Sequence, residues 1–157
     1  MIAIAALIVA ALFTGAALYI NVAEHPARMK LDDANALAQW KPAYKRGFAM
    51  QASLAIVGSL FGAYVAWSSQ LSYWWAGALV LFANWPYTLL AIRPVNKKLM
   101  AMERPGENAR ALMRDWNMLH AGRTILGAFA TFLFAIGLLY LLLALTGGGE
   151  VRPTTPA

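Results

Sequence analysis

The chemistry open to this chain starts with two histidines and no cysteine. His25 lies in the run Glu24-His25-Pro26-Ala27-Arg28, and His120 in a run from Trp116 to Arg123. On a helix, Trp116, His120 and Arg123 stand at i, i+4 and i+7 and share a face. Glu24 and Arg28 stand at i and i+4 and can pair if the helix continues past Pro26, a residue that either ends or kinks it. Three chemistries suit these side chains. Glu24, His25 and His120 form a candidate metal set, because imidazole with carboxylate suits iron, copper or zinc. His25 and His120 on opposed helices could instead hold haem. A neutral histidine, with no cofactor required, could remove a proton from an acidic carbon while Arg28 or Arg123 stabilises the anion. No HxxH or ExxH motif selects among them. The missing cysteine excludes disulfides, thiolate catalysis, Cys-ligated zinc, iron–sulfur clusters and covalently attached haem.

Further polar side chains interrupt apolar runs. Gln51 is an amide within such a run and needs a partner there. Asn84 and Thr88 share a face beside Pro86, which frees a backbone carbonyl and permits a kink, an arrangement that suits a cavity lining. Asn96 follows Pro94 at the end of the same segment. Trp40, Tyr44, Trp85, Tyr87 and Trp116 supply aromatic surface near these groups, although Trp40 taken alone reads as part of an interfacial aromatic belt.

The elements that must carry these residues are membrane-spanning helices. The chain is 61 % hydrophobic and 13 % charged, against about 45–50 % and about 25 % for soluble domains. Four uncharged runs, Met1–Ala23, Gly47–Trp67, Leu71–Ile92 and Thr124–Thr146, each supply the ~20 residues a spanning helix needs. Continuous rather than alternating hydrophobicity selects helices over a barrel. The first run lacks a basic leading region and exceeds the about 7–15 apolar residues of a signal peptide, so it reads as a retained helix. The expected fold is all-α: an integral membrane four-helix bundle, up-down-up-down, with extended or helical cytoplasmic connections over residues 1–146 and a disordered Gly- and Pro-rich tail at 147–157.

Twelve of the 13 Lys and Arg residues fall in two segments, 24–46 and 93–123, that this topology puts on one side. The positive-inside rule makes that side cytoplasmic and both termini external. The net charge of +6 is thereby matched to anionic lipid, and no nucleic-acid partner is expected. The alanine content associates the chain with a bacterial inner membrane. Gly58 and Gly62 form a small-xxx-small pair that suits either a homo-oligomer face or packing within the bundle.

Taken in order, Glu24-His25-Pro26-Ala27-Arg28, Trp40 with Tyr44 and Arg46, Pro86-Tyr87-Thr88 with Pro94 and Asn96, and Trp116 with His120 and Arg123 resemble the anthrone oxygenase-like family. These are small four-helix membrane proteins, many of them filed under a domain of unknown function, and the resemblance spans about residues 5–145. It implies an oxygenase or oxidase that acts with O2 on a small apolar or aromatic substrate at the cytoplasmic mouth of the bundle. On that reading His120 is the base, and Arg123, Arg28 and Asn84 are oxyanion partners, with Glu24 beside Arg28. Trp40, Tyr44, Trp85, Tyr87 and Trp116 form walls, and Gln51, Thr88 and Asn96 complete the substrate contacts. The other reading is a membrane binding or accessory subunit that holds haem, metal, quinone or lipid. A transporter is disfavoured, since the four runs carry no charge and no inverted repeat is evident.

Overall fold

A computed structural model describes residues 1–147. The tail expected to be disordered lies outside the described residues, apart from Gly147 at the end of the last helix. Four helices account for the described fold: α1 (Ile2–Arg28), α2 (Asp33–Ser69), α3 (Ser72–Ala101) and α4 (Ala109–Gly147). Each is long and apolar enough to cross a membrane. Each packs against its sequence neighbours, and α4 closes the ring against α1. The chain is an integral membrane four-helix bundle.

The connections are much shorter than the charge pattern suggests. The segment 24–46, expected as a connection either extended or helical, is largely helical, since α1 runs to Arg28 and α2 begins at Asp33. Asp32 caps it, its carboxylate accepting from the Asn35 backbone N–H at 3.0 Å. That hydrogen bond holds the Asp32 carboxyl below the ordinary range. This end is polar outside but apolar inside: Leu37, Trp40, Leu99, Met113 and Trp116 form a core of their own there. On the opposite side, α2 and α3 are joined by a tight turn in which Gln70 adopts a left-handed conformation, φ 59°, that ends α2.

Proline lies inside three helices without ending them: Pro26 in α1, Pro42 in α2, and Pro86 and Pro94 in α3. A proline ring at position i crowds the carbonyl of residue i−4 and removes one N–H. Both Pro26 and Pro94 are preceded by a widened π-helical stretch, Ile20–Glu24 and Thr88–Ile92. There the His25 N–H reaches Ile20 O and the Arg93 N–H reaches Thr88 O, one residue further back than in an α-helix. The widening absorbs the proline and lets α1 run on to Arg28, so Glu24 and Arg28 meet at i and i+4 as an ion pair. Such bulges recur at functional sites.

A second core fills the opposite half of the bundle, built on Ala10, Phe13, Ala55, Trp74, Leu81, Ala130 and Phe134. Gly58 and Gly62 work inside it. A Cβ at Gly62 would lie 2.7 Å from Phe134 Cε1, and one at Gly58 would lie 2.6 Å from Leu81 Cδ2. Gly62→Ala is therefore expected to destabilise the bundle by about 1–3 kcal/mol through overpacking. Gly15→Ala, whose Cβ would meet nothing within 4 Å, should gain up to about 1 kcal/mol of helix propensity. Thermal unfolding of the two variants in detergent checks this opposition of sign.

Candidate functional site

Between the two apolar cores lies a layer of buried polar side chains. His25 comes from α1, Gln51 from α2, Asn84, Thr88 and Asn96 from α3, and His120 and Arg123 from α4. On α4 the helical repeat carries the buried stripe from Met113 through Trp116, His120 and Arg123 to Ala130 and Phe134. The helix-face reading of Trp116, His120 and Arg123 thus agrees with their common inward orientation. All four helices extend past this layer toward the second core.

A narrow cavity of about 20 Å³, room for little more than a water molecule, opens in this layer. Among its lining residues are Glu24, Arg28, Tyr44, Gln51, Asn96, Trp116, His120 and Arg123, so eight of the predicted site residues share one cavity. The space is narrow, and a flat ring system enters it only if side chains move. A second, smaller space of about 10 Å³ is lined by Phe48, Asn84, Trp85, Thr88 and Arg123 among others. Arg123 lines both and so stands between them.

Arg123 is the most unusual group. It is 5 % exposed, and among the described residues it has no ion pair or hydrogen bond. Its guanidinium stands 5.5 Å from the Phe13 ring centroid, and its Nε is a buried donor without a partner. Gln51, 1 % exposed, brings a second unpartnered buried donor, Nε2, to the same cavity. A buried charge without a counter-ion is costly unless something else neutralises it.

His120 is held by a small network. Asn21 Nδ2 donates to the backbone carbonyl of Asn117 at 3.0 Å and to its Oδ1 at 2.8 Å. A carbonyl only accepts, so the amide nitrogen of Asn21 must lie on that side. Its Oδ1 then faces Thr124 Oγ1 at 2.6 Å and His120 Nδ1 at 3.2 Å, and accepts from both. The neutral imidazole accordingly carries its proton on Nδ1 and keeps the Nε2 lone pair free. Asn21 went unrecognised as a site residue in the sequence. The available signal was the one that marked Gln51, an amide inside an apolar run.

The aromatic wall is braced from behind. The Trp116 indole N–H donates to Asn96 Oδ1 at 2.8 Å, and its ring stands edge-on to Trp40 at 5.7 Å between centroids. Trp40 stacks flat on Tyr44 at 4.9 Å. Tyr44 therefore faces the cavity, whereas Trp40, fully buried, supports it. Tyr87 is not in the cavity: its hydroxyl donates to Leu119 O at 2.8 Å, against Gly122. Asn84 lines the second space and not this cavity. Its amide nitrogen donates to Leu81 O at 3.1 Å, beside the Pro86 break, and the atom left without a partner is the acceptor Oδ1. Thr88 turns its hydroxyl back to Asn84 O at 2.7 Å, in the second space.

The candidate metal set fares differently from the acid–base set. Glu24 is paired with Arg28, and Arg28 also donates to Gln39 Oε1. His25 packs 6.2 Å from the Trp116 ring, with an unpartnered Nδ1, and does not line the cavity. Among the described residues no three His, Asp or Glu side chains gather into a group that could hold a metal ion.

The sequence profile described as anthrone oxygenase matches residues 40–133. This stretch contains Tyr44, Gln51, Asn96, Trp116, His120 and Arg123, while Glu24, His25 and Arg28 precede it. Searches of curated proteins and of solved structures each returned no match. The profile covers more than half of the chain, which therefore belongs to the anthrone oxygenase family.

Proposed function

We propose that this chain is a membrane-bound oxygenase that oxidises a small aromatic or otherwise apolar C–H acid with O2 in the cavity between its two cores. The observation that carries this reading is the buried, unpaired guanidinium of Arg123 beside a histidine whose tautomer leaves a free base. Such a pair accepts a proton and holds the anion that results. An anthrone has an acidic methylene between two aryl rings, activated by a carbonyl. Transfer of that proton to His120 Nε2 yields an enolate, whose oxygen is held by Arg123 and the Gln51 amide. The enolate passes an electron to O2, the two radicals join in a C–O–O bond, and loss of water leaves the quinone. One anthrone and one O2 give one anthraquinone and one water. No resident metal or haem enters this balance.

The test is oxygen uptake by purified protein in lipid vesicles supplied with anthrone, recorded together with an absorbance spectrum and metal analysis. Uptake at a rate independent of metal content supports the proposal. A Soret band, or stoichiometric iron or copper required for uptake, favours the cofactor-holding alternative. The proposed orientation in a bacterial inner membrane has the site toward the cytoplasm and both termini outside, following the basic-residue bias. A C-terminal reporter active only in the cytoplasm should stay silent.

Asn21→Leu removes the acceptor that fixes the His120 tautomer. Turnover should fall about tenfold or more, the worth of roughly 1–3 kcal/mol for an unmade buried hydrogen bond. The loss should appear in kcat rather than KM.

A further inference from the structure

Two grooves run along the lipid-facing seam between α1 and α2. The one nearer the bilayer centre is lined by Ile8, Leu12, Gly15, Ala16, Met50 and Leu54. The next shares Ala16 and Met50 with it and continues past Ile20, Glu24 and Gly47. Ile20, Glu24, Ala43 and Gly47 in turn line the buried cavity. The three spaces thus follow one another along the seam, each sharing lining residues with the next.

Small residues on this seam do a different job from those elsewhere. At Gly58 the helices touch, and a Cβ there would stand 3.2 Å from Val9 Cγ1. At Gly15 a Cβ would meet nothing within 4 Å, and at Gly47 it would meet only Ile20 Cδ1 at 3.8 Å. These glycines leave room instead of bringing backbones together. The narrow point is Ile20 opposite Gly47, and Ile20 opens the π-helical stretch whose backbone is already widened.

We propose that this seam is a lateral portal, through which the substrate of the site described above passes from the bilayer into the cavity between Ile20 and Gly47. The proposal rests on the site reading, and its occupant is a membrane-dissolved flat apolar molecule carrying an oxygen function. The outer groove is almost wholly apolar, and polar groups, Glu24 and Arg46, appear only at its inner end. A molecule with an apolar body and a polar head would be ordered by that gradient.

A portal outside the binding site is a kinetic device. Plugging it slows association and dissociation alike and leaves the equilibrium affinity unchanged. The probe is 9,10-anthraquinone, mixed in a stopped-flow instrument with protein in phosphatidylcholine vesicles. The signal is the saturable part of tryptophan quenching that Trp116→Phe removes. Gly15→Phe and Ala16→Phe lie outside the cavity lining, and Gly15 has free space for the ring. Both should slow the onset about fivefold or more with an unchanged final amplitude, while Leu60→Phe on an exposed face of α2 should not. An onset within about twofold of wild type in both plugs overturns the portal and makes the seam a resting place for lipid acyl chains. A wild type without the saturable component, or plugs that lower the amplitude, overturns it as well. Slowed onset in a protein that consumes no oxygen would retain the portal and reject the oxygenase reading, and the reverse result would do the opposite.

Discussion

Arg123→Met should lower anthrone-dependent oxygen uptake about 10²–10³-fold, the usual cost of removing one preorganised donor to a developing oxyanion. The same substitution should leave the thermal unfolding midpoint unchanged or raise it. The second half of that expectation makes the first informative. Arg123 is buried, with no carboxylate or carbonyl partner among the described residues. A structural arginine in such a place would be paired, and its loss would destabilise the fold. An unpaired one imposes a desolvation cost that methionine of similar reach relieves. Activity and stability should therefore move in opposite directions. Arg123→Lys keeps the charge but loses the planar fork and the stacking over Phe13, so it should recover only part of the rate. A joint fall of activity and melting temperature in Arg123→Met would make this guanidinium a structural element instead. Gln51→Leu, which removes the second free donor, should cost less, because a neutral donor is worth less to an anion than a charged one.

The helices could be read from the sequence because hydrocarbon enforces simple rules on the chain. Four uncharged runs of sufficient length leave little alternative, and the inward face of Trp116, His120 and Arg123 follows from the helical repeat alone. What hydropathy could not show is the inner half. Asp33 to Arg46 is rich in charge and reads as a connection, yet Leu37, Trp40 and Tyr44 recur at helical spacing and build the core they share with Leu99, Met113 and Trp116. The prolines were ambiguous for a related reason. Whether Pro26 ends or bends α1 depends on whether the preceding turn can widen, a property of backbone geometry that residue type does not encode. Individual polar roles were least legible. Asn84 and Gln51 are both intramembrane amides, but Asn84 turns its nitrogen to a carbonyl at a proline break and leaves its oxygen without a partner, whereas Gln51 leaves its nitrogen without one. That difference depends on the neighbours that the fold brings, not on the residue.

His120→Ala is expected to reduce turnover about 10²–10⁴-fold, the range for loss of a positioned general base. The direction follows from the amide chain behind it. Because the Asn117 carbonyl fixes the nitrogen side of Asn21, Asn21 Oδ1 can only accept from His120, and the imidazole must present Nε2 as its base. His120→Gln separates this role from mere packing. Its amide can still donate toward Asn21 but has no basic lone pair, so folding should be retained while proton abstraction is lost. A kinetic isotope effect sharpens the reading: with anthrone deuterated at the methylene, the slowed variants should show a larger effect on oxygen uptake than wild type, since C–H cleavage then limits the rate. His25→Ala, in contrast, removes a ring outside the cavity and should change turnover far less. Equal losses at His25 and His120 would contradict the base assignment. They would point instead to a shared ligand held by the two imidazoles on either flank of the Trp116 stack.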